Sequence, residues 1–258
     1  MKMRILFFIL ALSTLSSVGQ QIAEEDIILF KKQRYIGLNL NTNGYGFNAT
    51  FGKYDGAYKL WLLNFDLLFV KHEKETKTWN PVNDPNARPY FYGKLNNLYS
   101  MRIGVGKKKI ITEKLRKKNG VQVGYTWQAG PSLGITKPIY LEIIYSDDVP
   151  NAQPYLEIEK FDPDRHFIDN IYGRASGFRG FDQVKIHPGA FFKFAFAFEY
   201  SNSKDMLKGI ETGLAVDAYA KRVPIMATYT QESTNPKNHQ VFFSLYIKFF
   251  FGTKYDQK

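Results

Sequence analysis

The sequence contains no cysteine. That excludes disulfides, thiolate metal sites, a cysteine nucleophile and lipid attachment at an N-terminal cysteine. Its four histidines stand at no tight ligand spacing, so no metal site is expected and no cofactor is implied. No serine sits in a nucleophile-elbow spacing, and no catalytic residue is assigned. A basic stripe interleaved with stacking aromatics is also missing, which argues against a nucleic-acid partner. Past the first twenty residues no apolar run reaches the ~20 residues a membrane-spanning helix needs. Membrane attachment would then have to come from strands closed into a barrel, the other fold that satisfies every backbone N–H and C=O within lipid.

The first residues carry Lys2 and Arg4 ahead of an apolar stretch, residues 5–12, followed by Ser17-Val18-Gly19. This has the form of a secretion signal, residues 1–19, cleaved near Gly19. Residues 20–258 are then expected to form one domain. The formal charge of +11 falls to about +9 without Lys2 and Arg4. A basic exported chain suits anionic headgroups, lipopolysaccharide phosphates or an acidic partner, while solvated loop lysines would account for the charge equally simply.

Period-2 alternation recurs along the mature chain. It is clearest in residues 241–251, where Val241, Phe243, Leu245, Ile247, Phe249 and Phe251 share one face and Ser244, Tyr246 and Lys248 lie on the other. Similar segments occupy residues 35–42, 45–53, 59–70, 99–105, 190–199 and 210–221. Another starts at Val121 and runs past Pro131 towards residue 145. The reading is an all-β, eight-stranded antiparallel transmembrane β-barrel, apolar outside and mixed inside. A soluble β-barrel or sandwich with its apolar face inward is the competing architecture. Successive Phe192, Phe194, Phe196 and Phe198 are bulky for such an interior. With the termini at one end, long connections follow the third, fifth and seventh strands. Asn43-Gly44 and the basic segment, residues 107–120, break that length rule.

Asp66, Glu199, Glu211 and Asp217 face the same side as Arg102, Lys193, Lys221 and Lys248. In a lumen barely wide enough for its own side chains, these charges must pair. The pairs form either a structural network or a narrow polar path for ions. Arg174 and Arg179, in the glycine-rich stretch IYGRASGFRGF, are candidates for holding a phosphate or carboxylate. Phe178 and Phe181 could anchor that loop, in residues 146–185, on the barrel mouth. Lys107, Lys108 and Lys109 open the basic segment and are candidate contacts for a protein partner or anionic lipid. A hydrolase or acyltransferase reading would draw on His166, His187 or His239 with Ser176 and Glu157, Glu159, Asp162 or Asp164.

The Gln20-Gln21 start, LYSMRIGVGKK, QAGPSLGITKPIYLEI, IYGRASGFRGF and the FEY ending at Tyr200 resemble conserved small outer-membrane proteins of the Bacteroidota. The resemblance spans most of the mature chain. It implies a barrel in the outer membrane of a Gram-negative bacterium, in contact with outer-membrane lipids including lipopolysaccharide, and carries no catalytic or ligand residues. The functional expectation is a non-enzymatic structural or accessory subunit that meets other envelope proteins. A lipid A- or phospholipid-modifying enzyme and a narrow channel are the alternatives.

Overall fold

The computed structural model describes residues 30–80, 84, 86–112, 120–146, 153–201, 203, 205–228 and 237–256. The expected signal with its cleavage point, and residues 113–119 of the basic segment, lie outside them. The strands are β1 (Lys32–Asn41), β2 (Gly44–Tyr54), β3 (Lys59–Val70), β4 (Lys77–Thr78), β5 (Tyr90–Phe91), β6 (Asn96–Thr112) and β7 (Gln122–Pro138). They continue with β8 (Tyr140–Tyr145), β9 (Tyr155–Lys160), β10 (Ile171–Arg174), β11 (Lys185–Glu199), β12 (Met206–Tyr219) and β13 (Val241–Tyr255). Eight of them close an antiparallel barrel in the order β1-β13-β12-β11-β7-β6-β3-β2. The expected eight-stranded architecture is therefore present.

The alternation read from sequence is the alternation of the wall. Ile36, Leu38, Phe47, Phe65, Ile103, Phe192, Phe243 and Leu245 point outward and are exposed. Asn39, Asn48, Asp66, Arg102, Lys193, Glu211 and Lys248 point inward and are buried. An apolar exterior around a polar interior is what hydrocarbon surroundings require, and it reverses the arrangement of a soluble barrel. Stepping across paired residues from Lys32 through Lys53, Trp61, Lys107, Trp127, Phe194, Leu214 and Leu245 returns to β1 at Thr42, ten residues further on. A shear of ten on eight strands sets a tilt of about 40°.

Both terminal strands meet at one rim, here the terminal end, where β2 also leads to β3, β6 to β7 and β11 to β12. At the opposite, loop end β1 leads to β2, β3 to β6, β7 to β11 and β12 to β13. Three long connections thus lie at one end. The short exception is Thr42-Asn43 and not the expected Asn43-Gly44, because Gly44 opens β2, and nine residues still separate β6 from β7 at the other end.

The structure corrects three of the expected boundaries. Lys107, Lys108 and Lys109 are not in a turn, because β6 continues to Thr112. The fifth barrel strand stops at Pro138, and residues 140–145 leave the wall as β8. Residues 146–185 are not one irregular loop, since β9 and β10 flank β8 in a separate three-stranded sheet of order β10-β8-β9.

Candidate functional site

Two features stand apart from the wall: a charged lumen and an ordered cap at the loop end. In the lumen, Arg102 pairs through two guanidinium nitrogens with both oxygens of Asp217. Its Nη1 lies 3.9 Å from Asp66 Oδ2. Lys193 Nζ donates to the same Asp66 oxygen at 2.7 Å, and Asn48 donates to Asp66 Oδ1 at 2.6 Å. Two cations and two carboxylates so form a neutral, buried cluster bridging β3, β6, β11 and β12. Lower in the barrel Lys248, fully buried, stands 2.8 Å from Glu211 Oε2. Tyr246 donates its hydroxyl to Glu211 Oε1 at 2.7 Å. At the terminal end Lys254 pairs with Glu199 at 2.7 Å.

Of the eight residues expected in this network, seven face the lumen: Asp66, Arg102, Lys193, Glu199, Glu211, Asp217 and Lys248. Lys221 does not. β12 ends at Tyr219, where the Ala220 N–H turns to Pro188 O, and Lys221 is left exposed in a bend. Two members were missed, Lys108 and Lys254. Both continue the inward parity of their strands, so extending the alternation to Thr112 and Tyr255 would have found them.

Apolar layers close this polar middle on both sides. Towards the terminal end lie Tyr35, Leu207 and Phe250, and beside them Leu60, Leu62 and Ile110. Towards the loop end Leu68, Val70, Leu98, Tyr219 and Phe242 pack against Val223, Ile225 and Met226 of the 220–240 connection. That connection is held over the mouth by Asn238, whose Oδ1 accepts the Ile225 and Met226 N–H groups at 2.9 and 3.0 Å. Glycines make room for the lumen rings. A Cβ on Gly104 would lie 2.4 Å from Phe191 Cζ, and one on Gly209 2.4 Å from Phe250 Cζ. Ring and glycine are matched volumes in a packed interior.

The cap has its own core of Tyr90, Ile139, Leu141, Ile143, Phe161, Ile171 and Ala227, drawn from three connections. Lys94 and Glu75, both buried, pair at 2.5 Å beneath it. Burial pushes the Lys94 ammonium below its usual range, with Glu75 opposing. His166 is fully buried. Its Nδ1 accepts the Asp162 N–H at 3.0 Å, so the proton sits on Nε2, which faces Glu159 Oε2 at 3.1 Å. Burial would raise the Glu159 carboxyl, but hydrogen bonds from Tyr145 and His166 and the charge of Arg165 hold it below the usual range. An imidazole with both nitrogens engaged in fixing a loop has no free lone pair for a general base.

Ser176 Oγ accepts the Phe178 N–H at 3.5 Å. His187 Nε2 lies 3.0 Å from Thr136 Oγ1. His239 stacks on His72 with ring centroids 5.8 Å apart. The histidines thus serve separate local contacts, and among the described residues no three His, Asp or Glu side chains gather as a metal site.

The glycine-rich stretch is exposed at Arg174 and Arg179. Phe178 is 86% exposed and does not anchor the loop on the mouth as expected, whereas Phe181, 61% exposed, lies under Lys137 Nζ at 5.0 Å. Lys137 is the anchor on the barrel side, donating also to Gly177 O and Arg179 O at 2.7 and 2.9 Å. At the far side of the cap β9 is an edge strand, paired among the described residues with β8 alone. Tyr155, Leu156 and Ile158 on it are exposed.

No protein-family model and no curated protein matches the sequence. Among solved structures, Ail, the attachment invasion locus protein of Yersinia pestis in complex with the heparin analogue sucrose octasulfate, is similar at TM-score 0.41 and 9% identity. The alignment covers 87% of this chain and 97% of that one. Neisserial surface protein A is similar at TM-score 0.40 and 6% identity, covering 87% of this chain and 96% of the other.

Proposed function

We propose that the chain is an integral outer-membrane protein of a Gram-negative bacterium, with the terminal end in the periplasm and the cap outside. Its role is non-enzymatic: a sealed barrel that anchors the cap as an accessory subunit of an envelope complex. The observation that carries this reading is the pairing of a filled lumen with a separately packed cap that ends in an open edge strand. Charge pairs between two apolar layers leave no path for ions, which disfavours the channel. The engaged ring of His166 removes the best base from the lipid-modifying alternative.

Within the cap, β9 is the proposed contact surface. An edge strand offers a row of backbone donors and acceptors to an added strand, and apolar side chains on it supply specificity. Glu142, Glu157 and Glu159 outweigh Lys160 there. The fitting occupant is an extended segment of another envelope protein with basic side chains opposite Glu157. Arg174 and Arg179, on the other flank of the cap, are available to lipopolysaccharide phosphates. The test is a photo-crosslinker placed at position 156 or 158 of the tagged full-length chain, with heat-modifiable gel mobility as the control for folding. One discrete adduct, mapping to an extended basic segment and lost in Glu157→Lys, is expected. A folded barrel crosslinked at neither position, or equally to Glu157→Lys, would overturn the assignment.

A further inference from the structure

The barrel strands sort their charges by side. All four acidic residues on them, Asp66, Glu199, Glu211 and Asp217, point inward. Seven basic residues point outward near the terminal end: Lys32, Arg34, Lys53, Lys59, Lys107, Lys109 and Lys208. At the other end of the strands only Lys137 has that outward parity, and it is taken up by Gly177 O and Arg179 O; Lys185 shares the inward parity of Lys193. Asp55, Asp205 and Asp256 lie in the terminal-end rim outside the strands, and Asp256 accepts the Lys31 N–H.

The registers place these cations at one height. With a shear of ten, each step to the paired residue on the next strand rises about 3 Å along the axis, and each residue along a strand about 2.4 Å. Lys32, Arg34, Lys53, Lys59, Lys109 and Lys208 then fall within a layer roughly 5 Å deep, with Lys107 a little above it. Five strands carry the layer: β6, β3, β2, β1 and β12. β13, between the last two, contributes Tyr255, over whose ring the Arg34 guanidinium sits at 5.6 Å. Lys107 Nζ lies 4.1 Å from the Trp61 ring centroid. Directly above the layer the wall is Phe51, Trp61, Leu63, Phe249 and Phe251, all exposed. Cations resting on interfacial aromatics, at the edge of an apolar band, lie at the depth of lipid phosphates.

We infer that this arc is a binding surface for the phosphodiester headgroups of anionic phospholipids in the leaflet at the terminal end. The inference rests on the membrane placement proposed above. It assigns to that leaflet a lipid preference that an apolar band with mixed rim charges would lack. Basic side chains near an anionic surface contribute cumulatively, so several together enrich such lipids around the barrel.

The test uses the full-length chain with Trp79→Phe, which leaves Trp61 and Trp127, both in the terminal half of the wall, as reporters. The protein is reconstituted into phosphatidylcholine vesicles carrying brominated phosphatidylglycerol or brominated phosphatidylcholine, and tryptophan quenching is compared. The expected result is a relative association at least about threefold in favour of phosphatidylglycerol, weakened by salt. Replacing Lys32, Lys53, Lys59 and Lys109 by Gln should bring it close to one, while Arg at the same positions should keep it. Sodium phosphate should compete no better than sodium chloride of equal ionic strength, which separates a lipid headgroup from free phosphate. Equal quenching by the two lipids, a preference that survives in the Gln variant, or selective competition by phosphate would each overturn the inference. Quenching by neither lipid, with no heat-dependent mobility shift, would instead sink the membrane placement itself.

Discussion

Removing Arg102 tests whether the lumen is held by charge balance. Arg102→Met keeps the stem volume but strips Asp217 of its two-pronged partner and leaves Lys193 alone to serve Asp66. All four groups are nearly inaccessible to water, so solvent screening offers little relief. Stranding a buried charge in this way costs on the order of 3–5 kcal/mol. Arg102→Met combined with Asp217→Leu returns the cluster to one cation and one carboxylate, the 2.7 Å pair of Lys193 and Asp66. The double variant should recover most of the loss and fall within about 1 kcal/mol of the parent, because a buried ion pair is close to break-even against apolar packing. The assay is reversible urea unfolding of the barrel in phospholipid vesicles, read by tryptophan fluorescence and by heat-modifiable mobility. A single variant costing less than about 1 kcal/mol, or a double variant no more stable than the single, would refute the balanced-network account.

Gly104→Ala should destabilise the barrel by about 1–3 kcal/mol through overpacking against Phe191, and Phe191→Leu in the same chain should relieve part of it; unfolding midpoints decide. Acidification should loosen the cap before the barrel. The depressed Glu159 carboxyl contributes stability above the usual glutamate value of 4.5, and that contribution is lost as pH falls through its lower folded value. Hydrogen exchange over residues 159–171 reports it, and protection unchanged down to pH 3 would contradict the role given to the His166–Glu159 contact. Ser176→Ala should leave phospholipid and lipid A composition unaltered in cells carrying it, a comparison that lipid mass spectrometry makes directly.

The wall was legible in the sequence because a barrel strand faces two solvents and must alternate at every residue. Seven of the eight network residues follow from that rule alone. The errors came from where alternation was taken to stop. Composition assigns the lysines at 107–109 to a basic connecting segment, although Lys107 and Lys109 hold the outward parity of Val105 and Lys108 the inward parity of Gly106. Lys221 was included because parity says nothing about where a strand ends; the backbone bond from Ala220 to Pro188 does that. The cap was not legible. Its strands are short, and its core joins Tyr90, Phe161 and Ala227 from three separate connections. Contacts so distant in sequence leave no period to read. The state of the candidate base was illegible for a similar reason: only the fold shows that the His166 ring is engaged on both nitrogens.

Composition gave the excess of positive charge, +11 formally, without an address, and solvated loops were the simplest place for it. The strands place much of it elsewhere. The lumen holds four carboxylates against Arg102, Lys108, Lys193, Lys248 and Lys254, a near balance that burial demands. The outer face carries cations and no acids, almost all at one end. A charge excess serving only solubility would have no reason to avoid the loop-end half of the wall, nor to exclude every carboxylate from the lipid side. Outward carboxylates at a membrane rim would repel anionic headgroups, and outward lysines would hold them. The sorting is therefore directional, and it points to the leaflet at the terminal end.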